Sequence, residues 1–264
     1  MIKIFRAIRQ RLLSENKFSR YFIYALGEII LVVIGILIAL SINNWNQEIK
    51  TKEREQFLLQ QFKEDYEADL IQIDEKIEIR NNLIHSSNWL LDFIDQPNKI
   101  ESDSILYHIG FTNWTATFDP ININLNTSRE LSIISDPKLR RLLSNWDSDV
   151  QQVLELEEDW SIFVENLRTP FDVEHNILRD LSVENQKRYM RRLEDEGFDV
   201  PTRIFSKSKT DVDYIAFVMQ PEFESMLAHG RVLNSIINAQ SEGLKMKMNE
   251  ILSLINSNLT NKQN

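Results

Sequence analysis

The sequence predicts an all-α protein, with one N-terminal transmembrane helix followed by a helical-bundle outer domain of long amphipathic helices. Six prolines leave three long proline-free tracts, 43–96, 138–169 and 222–264, and proline disfavours helix interiors. Within each tract apolar residues recur every three or four positions, which is the period of a helix. Strand-like alternation is confined to the short stretch 119–126, so at most one minor strand is expected.

The first element is an apolar segment, residues 21–42, which carries a single charge at Glu28. An α-helix of this length is about 33 Å long, and the hydrocarbon core of a bilayer is about 30 Å thick. A cleavable signal peptide is the alternative, because Ala39-Leu40-Ser41 has the small-x-small form of a cleavage site. The apolar region is about twice as long as in a signal peptide, which favours an uncleaved signal anchor.

Basic residues predict the orientation of this helix. Residues 1–20 contain six basic residues and one acidic residue, whereas residues 43–55 contain three of each. Because the more basic flank stays in the cytoplasm, we expect 1–20 to be an amphipathic cytoplasmic segment and 21–42 to be the transmembrane helix. Residues 43–264 then form a periplasmic domain on the outer side of the bacterial inner membrane.

Three residues of the membrane segment are predicted contact sites. Glu28 lies about 10 Å inside the span, where ionisable groups are costly and usually paired. The alternative is that Glu28 reaches back to the headgroups beside Tyr24. Gly35 and Ala39 form a small-xxx-small pair that lets another helix approach closely. The expected partners are therefore the lipid bilayer and a second copy of the chain, or another envelope membrane protein.

The outer tracts each show one apolar stripe. The first has a short coiled-coil-like seam, interrupted by Lys63 and Arg80 and formed by Phe62, Tyr66, Leu70, Ile73, Ile77 and Ile84. The second begins with Asp136-Pro137, an N-cap followed by proline at the first helical position. Its stripe comprises Leu139, Leu142, Trp146, Val150, Val153, Trp160, Phe163 and Leu167. Shorter pieces are expected over 102–111, 171–181, 183–196 (ending at Gly197) and 211–219, the last as a helix or strand.

Composition excludes several classes of site. The chain has 264 residues, a net charge of -10 and no cysteine, so disulfide scaffolds, thiolate metal sites and cysteine nucleophiles are ruled out. Its six glycines are never closer than eight residues apart, so Gly-rich phosphate loops are ruled out as well. The acidic balance argues against nucleic acid as a partner. We expect no cofactor and no catalytic, cofactor-binding or metal-binding residues.

Each of the weaker patterns has a purely structural interpretation as well as a functional one. Asp172 and His175, three residues apart, are the best hint of a metal site, but a surface histidine is the simpler interpretation. Two acidic runs, 64–69 and 155–159, fit solvated helix faces better than acid–base chemistry.

Loop aromatics and a local run of bases complete the candidates. Trp114 and Phe118 are possible binding anchors in a loop, or else plugs over the end of a bundle. A basic patch is formed by Lys187, Arg188, Arg191 and Arg192, for which a charged helix face is the default and an anionic partner the alternative.

The opening of the chain resembles a domain-of-unknown-function family of single-pass membrane proteins, common in flavobacterial-type Gram-negative bacteria. The resemblance rests on the basic start, the Gly27-Glu28 pair, the apolar run 33–40 and Asn43-Asn44-Trp45-Asn46. Residues 127–136 and 138–140 are also similar. The resemblance implies a membrane location and a helical outer domain, and it favours a loop over a strand at 119–126. It brings no known activity.

These patterns lead to two functional hypotheses. The first is a membrane-anchored, non-enzymatic periplasmic module for interaction or sensing. The second is a periplasmic hydrolase or metal-dependent enzyme on a helical scaffold, which a deep pocket gathering Asp172 and His175 would favour.

Overall fold

The computed structural model describes residues 18–97, 102–121, 128–195, 197 and 205–260. These residues form helices and no strand, so the all-α prediction is confirmed for them. The α-helices are α1 Phe18–Asp95, α2 Ser102–Ile109, α3 Ser128–Leu131, α4 Pro137–Phe163, α5 Thr169–Glu174, α6 Leu178–Asp195, α7 Tyr214–Val218 and α8 Pro221–Thr260. The strand-like residues 122–126 and most of the basic segment 1–20 lie outside the described residues.

The chain divides into two units, residues 1–58 and 59–264. In the first unit, α1 contains the apolar segment. Its most apolar stretch of 18 residues has a mean hydropathy of 2.7, and none of these residues is buried. This is one long apolar N-terminal helix whose length and composition suit a membrane span.

The predicted start of the second outer helix is confirmed. Asp136 is the N-cap of α4, and its Oδ1 accepts hydrogen bonds from the backbone N–H groups of Lys138 at 2.8 Å and Leu139 at 3.0 Å. Pro137 occupies the first turn, where its missing N–H costs nothing. These contacts lower the pKa of Asp136, the Leu139 N–H being the largest cause.

The helical path does not stop at Pro170, where the sequence predicts a boundary. α4 passes into a π-helical turn, Val164–Arg168, and then directly into α5, which contains Pro170. The N–H of Thr169 bonds to the carbonyl of Val164, five residues earlier. This turn adds a residue to the helix and rotates the residues after it, so Leu167 is 55% exposed instead of lying in the predicted apolar stripe.

The predicted helix over 171–181 is interrupted, because the chain turns at 175–177 between α5 and α6. Asn176 has φ 57°, in the left-handed region, and asparagine tolerates that region better than most residues. The prediction of a helix end at Gly197 is confirmed. Gly197 has φ 86° and its N–H bonds to the carbonyl of Glu194 at 3.0 Å.

In the second unit the core has two parts. Along the long helices, Tyr66 of α1 meets Trp146 of α4 edge to face, with ring centroids 4.9 Å apart, and Trp160 of α4 lies against Gly230 of α8. A second apolar cluster is formed by Leu90, Phe93, Ile105, Leu106, Ile109, Ile177, Leu181, Tyr214, Phe217, Val218, Phe223 and Leu227. Each large side chain buried there contributes about 1.5–3 kcal/mol.

Two glycines of α8 give opposite expectations for the same substitution. A Cβ at Gly230 would lie 2.7 Å and 2.9 Å from ring atoms of Trp160, which is only 3% exposed. Gly230→Ala is therefore expected to lower the free energy of unfolding by about 1–2 kcal/mol, since overpacking exceeds the gain in helix propensity. Gly243 has open space around it, so Gly243→Ala is expected to raise that free energy by about 0.5–1 kcal/mol.

The measurement is chemical denaturation of the full chain in detergent, followed by far-UV circular dichroism. Equal stabilisation by both substitutions would contradict the close approach of Trp160 to Gly230.

Candidate functional site

An open cleft in the second unit is the best candidate for a functional site. Its cavity volume is about 500 Å³, within the usual range for small-molecule pockets. One wall is α1, the other is α6, and the floor is α2 with the loop after it. The lining residues are Glu75, Glu78, Ile79 and Asn82 of α1, Tyr107, Phe111 and Trp114 of the floor, and Arg188 and Arg191 of α6.

The two walls carry opposite charges. Glu75 and Glu78 are one turn apart on α1, and Arg188 and Arg191 are one turn apart on α6. Among the described residues no ion pair or hydrogen bond joins the two walls. The cleft therefore holds charges of both signs above an aromatic floor, and Glu184, which pairs with Lys187, also acts on the charge of Arg188.

Among the charged residues that line the cleft, Arg188 is fixed by several contacts. Its guanidinium lies over the rings of Phe111 at 3.9 Å and Tyr107 at 4.5 Å, and its Nη2 donates to the carbonyl of Tyr107. Its Nη1 donates to Asn185 Oδ1 at 3.2 Å. Stacking on two rings and a fixed fork of donors keep the guanidinium in one place.

Gly110 makes this position possible. A Cβ at Gly110 would lie 2.7 Å from Arg188 Nη1, so a side chain there would push against the guanidinium.

The aromatic floor is part of a longer series of ring contacts. Phe111 touches both Tyr107 and Trp114, with ring centroids 5.3 Å apart in each case. Beyond Tyr107, His108 stacks on Trp89 at 4.1 Å. Burial lowers the pKa of His108 to about 4, and the nearby His85 and Arg188 add to this effect. His108 is therefore neutral at physiological pH.

The predicted loop anchors lie in different settings. Trp114 lines the cleft, its Nε1 donates to Asn185 Oδ1 at 3.2 Å, and its carbonyl accepts from Trp160 Nε1 at 2.8 Å. Phe118 is 1% exposed and is part of the core. Only Trp114 of the two is placed where a ligand can reach it.

The acidic runs are not uniformly solvated, which corrects the expectation from sequence. Glu157, from the second run, is 2% exposed and pairs with Arg80 at 2.7 Å. Its other oxygen accepts the Phe118 N–H at 2.8 Å. Burial raises the pKa of Glu157, while this N–H and Arg80 oppose the shift.

Arg80 itself, predicted to interrupt an apolar seam, is a buried crosslink between helices. Its Nε donates to Asn238 Oδ1 at 2.7 Å and its Nη2 to Ser241 Oγ at 2.8 Å. With Glu157, these contacts join α1, α4 and α8 through one guanidinium. With the Ala116 carbonyl, four acceptors surround the buried cation and each of its three nitrogens donates to at least one of them, which is the condition for a buried charge to be tolerated.

Asp69, from the first acidic run, is also buried, at 1% exposure. Its Oδ1 accepts the Ile121 N–H at 2.9 Å, and its Oδ2 has no hydrogen-bond partner among the described residues. Burial raises the pKa of Asp69 to about 6, and Asp65 and Asp119 add to the rise while the Ile121 N–H opposes it.

The two candidate metal ligands, Asp172 and His175, make other contacts in the structure. Asp172 is fully buried and pairs with Arg168 at 2.9 Å, and His175 Nδ1 lies 2.8 Å from the carbonyl of Phe171. Thr112 also accepts from Arg168, at 2.9 Å. Within the described part of the chain no group of three or more acids and histidines is arranged to hold a metal ion.

The predicted membrane contacts all lie on the exposed apolar part of α1. Glu28, Gly35 and Ala39 are solvent-exposed in the single chain, and a Cβ at Gly35 would meet nothing within 4 Å. Their role as a helix contact stays a prediction.

Sequence reasoning finds Trp114 and Arg188 as separate features and misses the cleft that joins them. Tyr107 and Phe111 give no local signal beyond their four-residue spacing. In the sequence, the acidic wall is indistinguishable from the rest of a long amphipathic helix.

A family model described as a family of unknown function (DUF6090) matches residues 28–128. The chain is thus similar, over less than half of its length, to an uncharacterised domain family, as the sequence predicted. The matched region includes the acidic wall and aromatic floor of the cleft, whereas Arg188 and Arg191 lie outside it. No curated protein and no solved structure matches the chain.

Proposed function

We propose that this protein is a membrane-anchored, non-enzymatic binding module of the bacterial envelope. In this proposal α1 crosses the inner membrane, residues 1–20 are cytoplasmic, and residues 43–264 form a periplasmic helical bundle. The cleft between α1 and α6 is its binding site.

The anchor is supported by the exposed apolar part of α1. In water, such a surface on every face of a helix is unfavourable, whereas a bilayer accepts it. The excess of basic residues before the span supports the orientation with the N-terminus inside. Within the membrane, Glu28, Gly35 and Ala39 are the surface we assign to a second copy or another envelope protein.

The bundle is supported by the way the long helices are tied together. Arg80 of α1 bonds to residues of α4 and α8, and Trp160 of α4 packs on Gly230 of α8. These contacts suit a rigid scaffold, on which a binding site keeps its shape.

The observation that carries the binding role is the pair of oppositely charged, unjoined walls above an aromatic floor. Charged groups facing one another across a cleft are strong determinants of partner choice. The enzyme hypothesis has less support, because Asp172 is engaged by Arg168 and His175 lies against a backbone carbonyl.

Single cysteines test the proposal cleanly, because the chain has none of its own. Gln10→Cys lies before the span, Asn82→Cys lies in the cleft, and Gln240→Cys lies on the exposed surface of α8. In spheroplasts, an impermeant thiol reagent is expected to label positions 82 and 240 but not position 10. Labelling at 82 is expected to be slower in spheroplasts than in the purified full chain, because a bound ligand covers the cleft. Position 240 should label at the same rate in both.

Labelling of Gln10→Cys in intact spheroplasts would overturn the topology. Equal rates at position 82 in the membrane and in the purified protein would overturn the binding role, whatever the topology.

A further inference from the structure

The charge pattern of the cleft selects among ligand classes. A simple anion would be attracted by Arg188 and Arg191 but repelled by Glu75 and Glu78, and a simple cation would meet the reverse. A neutral ligand would leave both walls desolvated without a partner. A dipolar ligand, with a cationic group and an anionic group at its two ends, is complementary to both walls.

The aromatic floor determines which side chain suits the middle of such a ligand. Tyr107, Phe111 and Trp114 contact one another in sequence, with 5.3 Å between successive ring centroids. Arg188 lies over Phe111 and Tyr107, so a ligand side chain meets the floor beside this guanidinium, at Trp114. Aromatic rings favour an apolar or aromatic side chain above them.

The basic wall is preorganised for recognition. Arg188 is already stacked on Phe111 and bonded to Tyr107 and Asn185, and these contacts fix the position of its charge. Arg191 is exposed one turn further along α6. Fixing the donors before binding reduces the entropy lost when the ligand arrives.

We infer that the cleft binds a dipolar peptide segment in which an apolar or aromatic residue lies between a basic and an acidic one. The basic side chain faces Glu75 and Glu78, the acidic side chain faces Arg188 and Arg191, and the central side chain lies on Trp114 of the floor. This inference rests on the proposed function, since it names the ligand class of the same cleft.

The probes are three tripeptides with acetylated and amidated ends: Lys-Phe-Glu, Glu-Phe-Lys and the neutral Gln-Phe-Gln. Binding to the full chain in detergent is measured by calorimetry at low and high salt. One of the two charged peptides is expected to bind at least about 10-fold more tightly than the neutral one at low salt, with less difference at high salt.

Exposed substitutions keep the fold intact and test each wall. Glu78→Gln and Arg191→Gln are each expected to weaken binding of the charged peptide about 3-fold and to leave the neutral peptide unaffected. Glu155→Gln, an exposed carboxylate on α4 outside the cleft, is the matched control and should change neither affinity.

Equal affinity for charged and neutral peptides would overturn the dipolar class. Absence of peptide binding at about 1 mM, with slow labelling of Asn82→Cys retained in membranes, would overturn the peptide inference and leave the proposed function standing. Absence of peptide binding together with equal labelling rates at position 82 would overturn both proposals.

Discussion

Replacement of Arg80 by leucine is expected to lower the free energy of unfolding by about 3–5 kcal/mol, because it leaves the carboxylate of Glu157 buried without its counter-ion. Asn238 and Ser241 lose their donor at the same time. Arg80→Lys is expected to recover only part of the loss, since one ammonium group cannot reach the positions of the three guanidinium nitrogens.

A double-mutant cycle separates the unpaired charge from the lost packing. Arg80→Leu combined with Glu157→Gln is expected to be less destabilising than Arg80→Leu alone, because no bare charge remains and glutamine still accepts the Phe118 N–H. The variants are compared by chemical denaturation of the full chain in detergent.

The control is an ion pair with similar geometry in solvent. Lys138 and Glu250 lie 2.6 Å apart with side chains 55% and 43% exposed, so Lys138→Met is expected to change stability by about 1 kcal/mol or less. A similar small effect for Arg80→Leu would show that Glu157 is not held by a buried ion pair.

Replacement of Asp69 by asparagine is expected to change how stability depends on pH. The folded-state pKa of Asp69 is about 6, above its unfolded value of 3.8, so the folded state holds a proton that the unfolded state releases between these values. As the pH rises from about 4 to about 6, Asp69 therefore lowers the stability of the wild type by about 2 kcal/mol. The asparagine side chain of the variant cannot titrate, so the variant does not lose stability in this way as the pH rises.

The quantity to measure is the difference in unfolding free energy between Asp69→Asn and the wild type, at intervals from about pH 4 to about pH 7. It is expected to grow in favour of the variant as the pH rises. Glu155→Gln removes an exposed carboxylate and is the matched control, for which the difference should stay flat. A flat difference for Asp69→Asn as well would mean that this carboxyl titrates alike in the folded and unfolded chain.

Local signals predict the helices well. The apolar segment 21–42, the proline-free tracts and the Asp136-Pro137 cap depend on neighbours within one or two turns, and such signals are readable in sequence. The turn at Asn176 could not be predicted in this way, because asparagine can adopt the left-handed region but often does not.

Ion pairs between distant parts of the chain cannot be predicted from such local signals. Arg80 and Glu157 are 77 residues apart, and each interrupts an otherwise apolar pattern on its own helix. Charge in a helix stripe usually marks a solvated position, so the sequence alone favours exposure of both residues. Their burial becomes understandable only when the tertiary fold brings the two charges together.

The cleft is unpredictable for a related reason. Its residues come from α1, from α2 and the following loop, and from α6, and no one element contains both walls. Sequence spacing shows that Arg188 and Arg191 share a face. It gives no indication that Phe111 lies beneath Arg188, or that Glu78 stands opposite.

The π-helical turn before Pro170 sets the helical phase of the charged residues beyond it. Up to Val164 the buried positions of this helix advance by alternate steps of three and four residues. An uninterrupted α-helix would next turn Leu167 and Phe171 inward, whereas the extra residue brings Arg168 and Asp172 there instead. One inserted residue thus exchanges an apolar pair for an ionic pair at the same inward-facing site, and Arg168 then lies 4.8 Å from the ring of Phe223.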